Sequence, residues 1–114
     1  MVNKWEIYFC NLNPTIGSEQ KGTRPVLVVS NDVVNHLLPV STVLPLSSAK
    51  KGDKIYPTEI LLSTEDTGLT KDSIAMCQQI RTISHERFVN LAGSLTDVNL
   101  REEINNTLRR YLDL

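Results

Sequence analysis

The sequence predicts a mainly β, α+β fold: a small, strongly curved sheet or barrel closed by a C-terminal helix. Three features carry that prediction. Short apolar or alternating segments recur between residues 5 and 83, punctuated by Gly, Pro and Asn. The tail changes period: Leu100, Ile104, Leu108 and Leu112 recur every four residues, with Arg101, Glu102, Glu103, Arg109 and Arg110 on the other faces. The chain has 114 residues, 40% of them hydrophobic, which suffices for one core and leaves no room for a second domain. A single domain over residues 1–114 is expected, and at this size a second copy of the chain is a natural source of further buried surface.

The elements follow in order. Trp5–Leu12 alternates around Trp5, Ile7 and Phe9 and reads as a strand with one buried face. Asn13–Thr23 carries Pro14, Gly17 and Gly22 among polar residues and reads as a long loop, a connection of the kind that tends to be functional in a compact domain. Pro25 opens the strand Val26–Val29, apolar on both faces, and sits at its start, where a missing donor does little harm. It also biases Arg24 toward extended backbone, at the point where loop becomes strand. Asn31–Pro39 reads as a turn or irregular segment, and Thr42–Leu46 as a strand in which Pro45 indicates a bulge or an edge. A polar loop over Ser47–Asp53, a strand over Tyr56–Leu62, a turn around Gly68 and one or two strands over Ser73–Ile83 complete the sheet. Ser84 is placed to cap a short helix through Phe88, although Arg87 stands where a capping box needs Glu. Thr96 is the expected N-cap of the closing helix.

Charge narrows the function. Twelve basic and 13 acidic side chains give a net charge of −1, whereas a protein gripping duplex DNA over many phosphates carries a basic excess. Any nucleic-acid contact is therefore confined to a local basic site drawn from Lys21, Arg24, Lys50, Lys51 and Lys54. No apolar run reaches membrane-span length and the N-terminus lacks a signal-peptide core, so no membrane partner and a cytoplasmic location are expected. Cys10 and Cys77 read as reduced, buried thiols. Together with His36 and His85 they show no close ligand spacing, so neither a metal nor another cofactor is expected.

The segment Leu12-Asn13-Pro14-Thr15-Ile16-Gly17-Ser18-Glu19-Gln20-Lys21-Gly22-Thr23-Arg24-Pro25-Val26-Leu27-Val28-Val29-Ser30-Asn31-Asp32 resembles the MazF/PemK family, whose pattern runs (L/D)-x-P-x-x-G-S-E-Q-x-G-x-R-P-V-L-V-(V/I)-x-N-D. Gln79-Ile80-Arg81-Thr82-Ile83 resembles that family's Q-I-R-T-I strand, and Leu91-Ala92-Gly93-Ser94-Leu95 with the closing helix fits it in order and spacing. The likeness covers nearly the whole chain. Three departures stand out: Trp5-Glu6 replaces the usual Gly-Asp, Gln78 replaces an acidic residue, and Ser47 stands where threonine is commoner.

The resemblance implies an SH3-like, CcdB-like plasmid-maintenance barrel that forms a homodimer. It implies a metal-independent endoribonuclease toxin that cuts single-stranded RNA at short motifs, and an antitoxin whose acidic, apolar tail occupies the same groove. Contact with DNA is expected only indirectly, through a toxin–antitoxin complex. The catalytic positions of the family fall on Arg24 and Ser47.

The residue chemistry agrees with that assignment. RNA carries its own nucleophile, the 2′-hydroxyl, and arginine's planar fork suits the charge that develops at phosphorus. Ser47 is suited to donate to a non-bridging oxygen or toward the leaving group. Arginine is a poor base, with a pKa above about 12. Expected products are a 2′,3′-cyclic phosphate and a 5′-hydroxyl. For base reading, Ser18, Glu19, Gln20 and Lys21 supply a polar loop, Ser48 adjoins Ser47, and Tyr56 and Thr58 offer a ring and a hydroxyl. Gln79 is a polar side chain in an otherwise apolar strand, suited either to a concave wall or to satisfaction by backbone. The competing structural reading pairs Arg24 with Glu19, and the competing mechanism uses His36 and His85 as base and acid. The rival functions are a gyrase-binding poison without catalysis and a catalytically silent antitoxin-binding protein.

Overall fold

The computed structural model describes residues 1–114. Seven antiparallel strands are present: β1 (Glu6–Asn11), β2 (Thr23–Val28), β3 (Val40–Ser48), β4 (Glu59–Leu62), β5 (Ser73–Met76), β6 (Arg81–Ser84) and β7 (Phe88–Ser94). Three helices join them: α1 (Asp32–Leu37), α2 (Thr64–Thr67) and α3 (Val98–Leu112). The sheet runs β4-β5-β3-β2-β1-β7, and β6 adds to β3 off that path.

The nine-residue β3 organises the sheet. Along one edge it pairs with β2, from Val28↔Val43 to Val26↔Pro45. Along the other it changes partner: β6 from Val40↔Ser84 to Val43↔Arg81, then β5 from Leu46↔Ala75 to Ser48↔Ser73. Pro45 lies at that change. Thr42 turns its backbone toward the β2 side, where its carbonyl accepts from Val29 N–H (2.9 Å) and its N–H donates to Ser30 Oγ (2.9 Å). Alternation therefore aims the Pro45 nitrogen at the gap between β6 and β5, where no ladder bond is lost. The proline marks an internal handover, and the strand is neither bulged nor an edge.

The two faces of the sheet carry separate apolar clusters. Ile7, Leu27, Leu44 and Leu46 pack with Leu62, Leu95 and Ile104, so this face is covered by β4, β5 and α3. Val26, Val28 and Val43 pack with Cys10, Leu12 and Ile83. The all-apolar run of β2 is thereby explained, since it is buried on both sides. Each fully buried Leu or Ile contributes about 1.5–3 kcal/mol.

Several boundaries differ from those the sequence predicts. Asn31–Pro39 contains a helix, α1, capped by Asn31, whose side chain accepts from Val34 N–H. The turn around Gly68 begins as α2, closed by a Ser63–Asp66 capping box and ended by Gly68 at φ 80°. Tyr56–Thr58 precede β4, and Ser73–Ile83 divides into β5 and β6 around a 3₁₀ turn at Cys77–Gln79. Ser84 does cap a short turn, a 3₁₀ one at His85–Arg87. The N-cap of α3 is Asp97, one residue after Thr96, and its carboxylate accepts from Leu100 N–H at 3.0 Å.

Two positions show how closely the parts fit. Trp5 has φ 73°, in the left-handed region that suits glycine, the residue the MazF/PemK pattern places here. The conformation is held by Trp5 N–H to Val28 O and Leu95 N–H to Trp5 O, both 2.8 Å. The indole packs on the core beneath Lys4 and Arg101, 5.0 and 5.6 Å from its ring. At Gly93 an added Cβ would stand 2.1 Å from Thr67 O, so β7 and α2 touch backbone to backbone.

Gly93→Ala is expected to cost about 1–3 kcal/mol or more through overpacking, read as a lower denaturant midpoint. Burial holds the thiols of Cys10 and Cys77 at about 12 and about 11, above the ordinary 9.0, and burial followed by the Glu6 carboxylate raises Tyr8 to about 12. The unfolded chain therefore loses these protons first. Stability is fully present below about pH 9 and declines as pH rises toward the folded values, which thermal melts from pH 8 upward would register. A flat profile across that window would contradict the burial argument.

Candidate active site

The site is built where β1, β2 and β3 release their ladders. Continuing the β2–β3 register two residues beyond Val26↔Pro45 sets Arg24 opposite Ser47. Opposed residues share a face, so the two side chains lie on the Val26, Val28 and Val43 side of the sheet. Ser47 is thus the penultimate residue of a strand and half-buried, where the sequence predicts a loop.

Arg24 is half-buried and charged without a carboxylate partner. Its Nε–H donates to Lys21 O at 2.8 Å, which fixes the guanidinium's approach and leaves the terminal amino groups without protein acceptors. The only ion pair in the molecule is Arg109–Glu102, at 3.5 Å on the surface of α3. Glu19, the competing partner, accepts instead from Ile16 N–H at 2.7 Å within its own loop.

That loop, from Leu12 to Gly22, is held at its base and its middle. Leu12 N–H donates to Gly22 O (3.0 Å), and Gly22 N–H to Asn13 Oδ1 (3.1 Å), closing the base. Arg81 Nη1 donates to Leu12 O (3.3 Å), while Arg87 Nη1 donates to the carbonyls of Asn11 and Asn13. In the middle, Gln79 Nε2 donates to Ser18 O (3.2 Å) and Gln79 Oε1 accepts from Gln20 N–H (3.4 Å). Both functional groups of Gln79 are spent on loop backbone. The side chains of Ser18, Glu19 and Lys21 stay exposed around Arg24, and Ile16 at the tip is 83% exposed.

The remaining predicted residues fall on two neighbouring surfaces. Ser48 points to the opposite face of β3 from Ser47 and lines a cavity of about 260 Å³ with Phe9, Pro25, Leu69, Lys71 and Ser73. Strand alternation thus sends consecutive residues, Arg24 and Pro25 or Ser47 and Ser48, to opposite sides of one strand end. Tyr56, 51% exposed under Lys54 at 5.0 Å, and Thr58 lie in the turn before β4. Thr58 O accepts from Cys77 N–H at 3.1 Å, which ties that turn to the Cys77–Gln79 turn and through Gln79 to the loop. Lys50 and Lys51 line a second cavity of about 340 Å³ with Asp53, Ile55, Leu61 and Asp72.

The histidines lie elsewhere. His85 Nε2 meets Ser41 Oγ at 2.7 Å, just beyond the Val40↔Ser84 pair. This is the far end of β3 from Ser47, about 20 Å away at the rise of a strand. His36 Nε2 contacts Asn3 Oδ1 at 2.8 Å beside the N-terminus. An acid–base pair of histidines does not form at Arg24. Arg87, Lys71, Phe9 and Glu59 join the site without any local motif, because only pairing across 19 to 76 residues brings them there.

A small antiparallel sheet of seven strands closed by one C-terminal helix is the architecture of the MazF toxins. The crystal structure of MazF from Deinococcus radiodurans superposes with a TM-score of 0.83 at 23% identity, covering 99% of this chain and 97% of that one. An endoribonuclease in complex with its cognate antitoxin from a mycobacterial species superposes at 0.79 and 22% identity, covering 100% and 97%. In sequence, endoribonuclease EndoA of Bacillus subtilis is 32% identical over 114 residues, spanning 100% of this chain and 97% of its own. Endoribonuclease MazF9 of Mycobacterium tuberculosis is 37% identical over 119 residues, spanning 100% and 98%. Residues 3–112 match the profile of the PemK-like, MazF-like toxins of type II toxin–antitoxin systems, and the chain belongs to that family.

Gln79→Leu removes both bonds to the Ser18–Gln20 backbone. Faster amide exchange across Ser18–Lys21, with exchange in β2 and β3 unchanged, is the expected result. Equal protection in both proteins would show that the loop holds itself.

Proposed function

We propose that this protein is a sequence-selective, metal-independent endoribonuclease toxin that cleaves single-stranded RNA with Arg24 and Ser47. The observation that carries this reading is an arginine without an anionic partner at the end of a rigid sheet and beneath a fixed polar loop, on the strand face to which continuation of the β2–β3 register also assigns Ser47. The reaction supplies its own nucleophile. The 2′-hydroxyl gives up its proton as its oxygen attacks phosphorus, the bond to the 5′-oxygen breaks, and protonation of that oxygen leaves a 2′,3′-cyclic phosphate and a 5′-hydroxyl. Arg24 directs its free amino groups at the phosphoryl oxygens as negative charge accumulates, and Ser47 donates a further hydrogen bond there or toward the departing oxygen. Ser18, Glu19, Gln20 and Lys21 with Gln79 form one wall for splayed bases. Tyr56 and Thr58 form another, and Ser48 opens into the cavity behind the strand end.

The protein acts in the cytoplasm as a homodimer, and no helix in it is long and apolar enough to cross a membrane. A cognate antitoxin blocks the site by presenting acidic and apolar groups to Arg24 and the exposed loop, and DNA is met only within that complex. Antitoxin complexes among the structural relatives support this partner.

Cleavage of a long, weakly structured RNA in EDTA tests the reading. Wild-type protein is expected to cut at a recurring short motif, and Arg24→Ala to lose about 10²–10³-fold in kcat. Lysine at that position restores little, because it lacks the planar fork. Cleavage that survives Arg24→Ala would overturn the assignment, and inactivity of a folded wild-type protein would favour a binding-only toxin.

A further inference from the structure

Glu59 belongs to no motif, yet it sits at the junction of the two walls just described. Its Oε1 accepts from Tyr56 N–H at 3.1 Å, while Glu59 N–H donates to Tyr56 O at 2.9 Å, closing the turn that carries Tyr56 and Thr58. Its Oε2 accepts from Gln78 Nε2 at 2.7 Å. Gln78 adjoins Gln79, which holds the loop, and the Gln78 carbonyl accepts from the Tyr111 hydroxyl of α3 at 3.3 Å.

The carboxylate also decides which way the Gln78 amide faces. Gln78 Oε1 is the one buried side-chain polar atom in the molecule without a hydrogen-bond partner. Turning the amide over would set that oxygen against the carboxylate of Glu59, so the charge-assisted bond wins and the acceptor is left unsatisfied. Buried groups of this kind persist where the surroundings fix them. An acidic residue at position 78 would face Glu59 with like charge, so this pair works only with an amide on one side.

We infer that Glu59, acting through Gln78, is a positioning residue that sets the spacing between the Tyr56–Thr58 wall and the Gln79-held loop, and so governs RNA affinity; the inference rests on the RNA-binding reading of those walls. Arg24 and Ser47 lie across the sheet on β2 and β3. Disturbing Glu59 therefore acts first on capture of the RNA, and reaches Arg24 only through the Lys21 carbonyl at the end of the loop.

Steady-state cleavage of a short single-stranded RNA containing the recurring motif, by the full-length protein, separates these effects. Glu59→Ala and Gln78→Glu are each expected to raise KM about tenfold, with kcat within about twofold of wild type. The double exchange Glu59→Gln with Gln78→Glu rebuilds the bond with donor and acceptor interchanged, and KM returns to within about threefold of wild type. Unchanged KM in both single variants, or a lower melting temperature with KM unmoved, would overturn the inference. A double exchange no better than Gln78→Glu would do the same, and that comparison stands if Glu59→Ala does not fold. A wild-type protein that cleaves RNA while these variants match it sinks this inference alone. A wild type that does not cleave removes the reading beneath it.

Discussion

The antiparallel register of β3 against β2 is the constraint on which the rest depends. One strand of nine residues bonds to β2 on one side and to β6 and then β5 on the other. Because side-chain direction alternates strictly, a slip of one residue would send Ser47 to the opposite face and move Val43 and Leu44 into each other's cluster. The two apolar clusters, one on each face, make that slip costly. The same burial that stabilises the domain therefore aligns Arg24 with Ser47, and it separates His85 from them by the length of the strand.

Around that register the site is built from mostly neutral contacts, so that its cation stays free. Backbone carbonyls hold Arg24, Arg81 and Arg87, and an amide holds the loop. A carboxylate at Arg24 would neutralise the guanidinium that the proposed reaction needs uncommitted. With a net charge of −1, the molecule has no general field to attract nucleic acid. Local, uncommitted donors must do so, and an acidic partner segment would compete for the same ones.

Two of the three departures from the family pattern, at Trp5 and Gln78, become intelligible as packing. Trp5 occupies a left-handed position and offsets that strain with an indole packed on the core between two cations. Gln78 faces Glu59, where an acid would repel it. Neither change reaches Arg24 or Ser47. Both lie where α3, β1 and the turn before β4 meet the sheet, and the fold absorbs them there.

The sequence by itself determined the elements whose signals are local. The four-residue period of α3, the both-faces-apolar run of β2, the long loop after Asn13 and the family pattern around Arg24 are each written in contiguous residues. It left α1 unread because six residues hold too few turns for a period to emerge. It set the cap of α3 one residue early because Thr96 and Asp97 are both good caps. Tyr56–Thr58 read as strand because Ile55 and Ile60 flank them, although the turn is closed by a glutamate side chain. Only the tertiary structure decided that Gln79 serves the loop, that Glu59 and Gln78 join, and that Ser47 and Ser48 face opposite ways. Those facts depend on which strands pair and in what register, and pairing is chosen by burial of the whole sheet, which no single segment records.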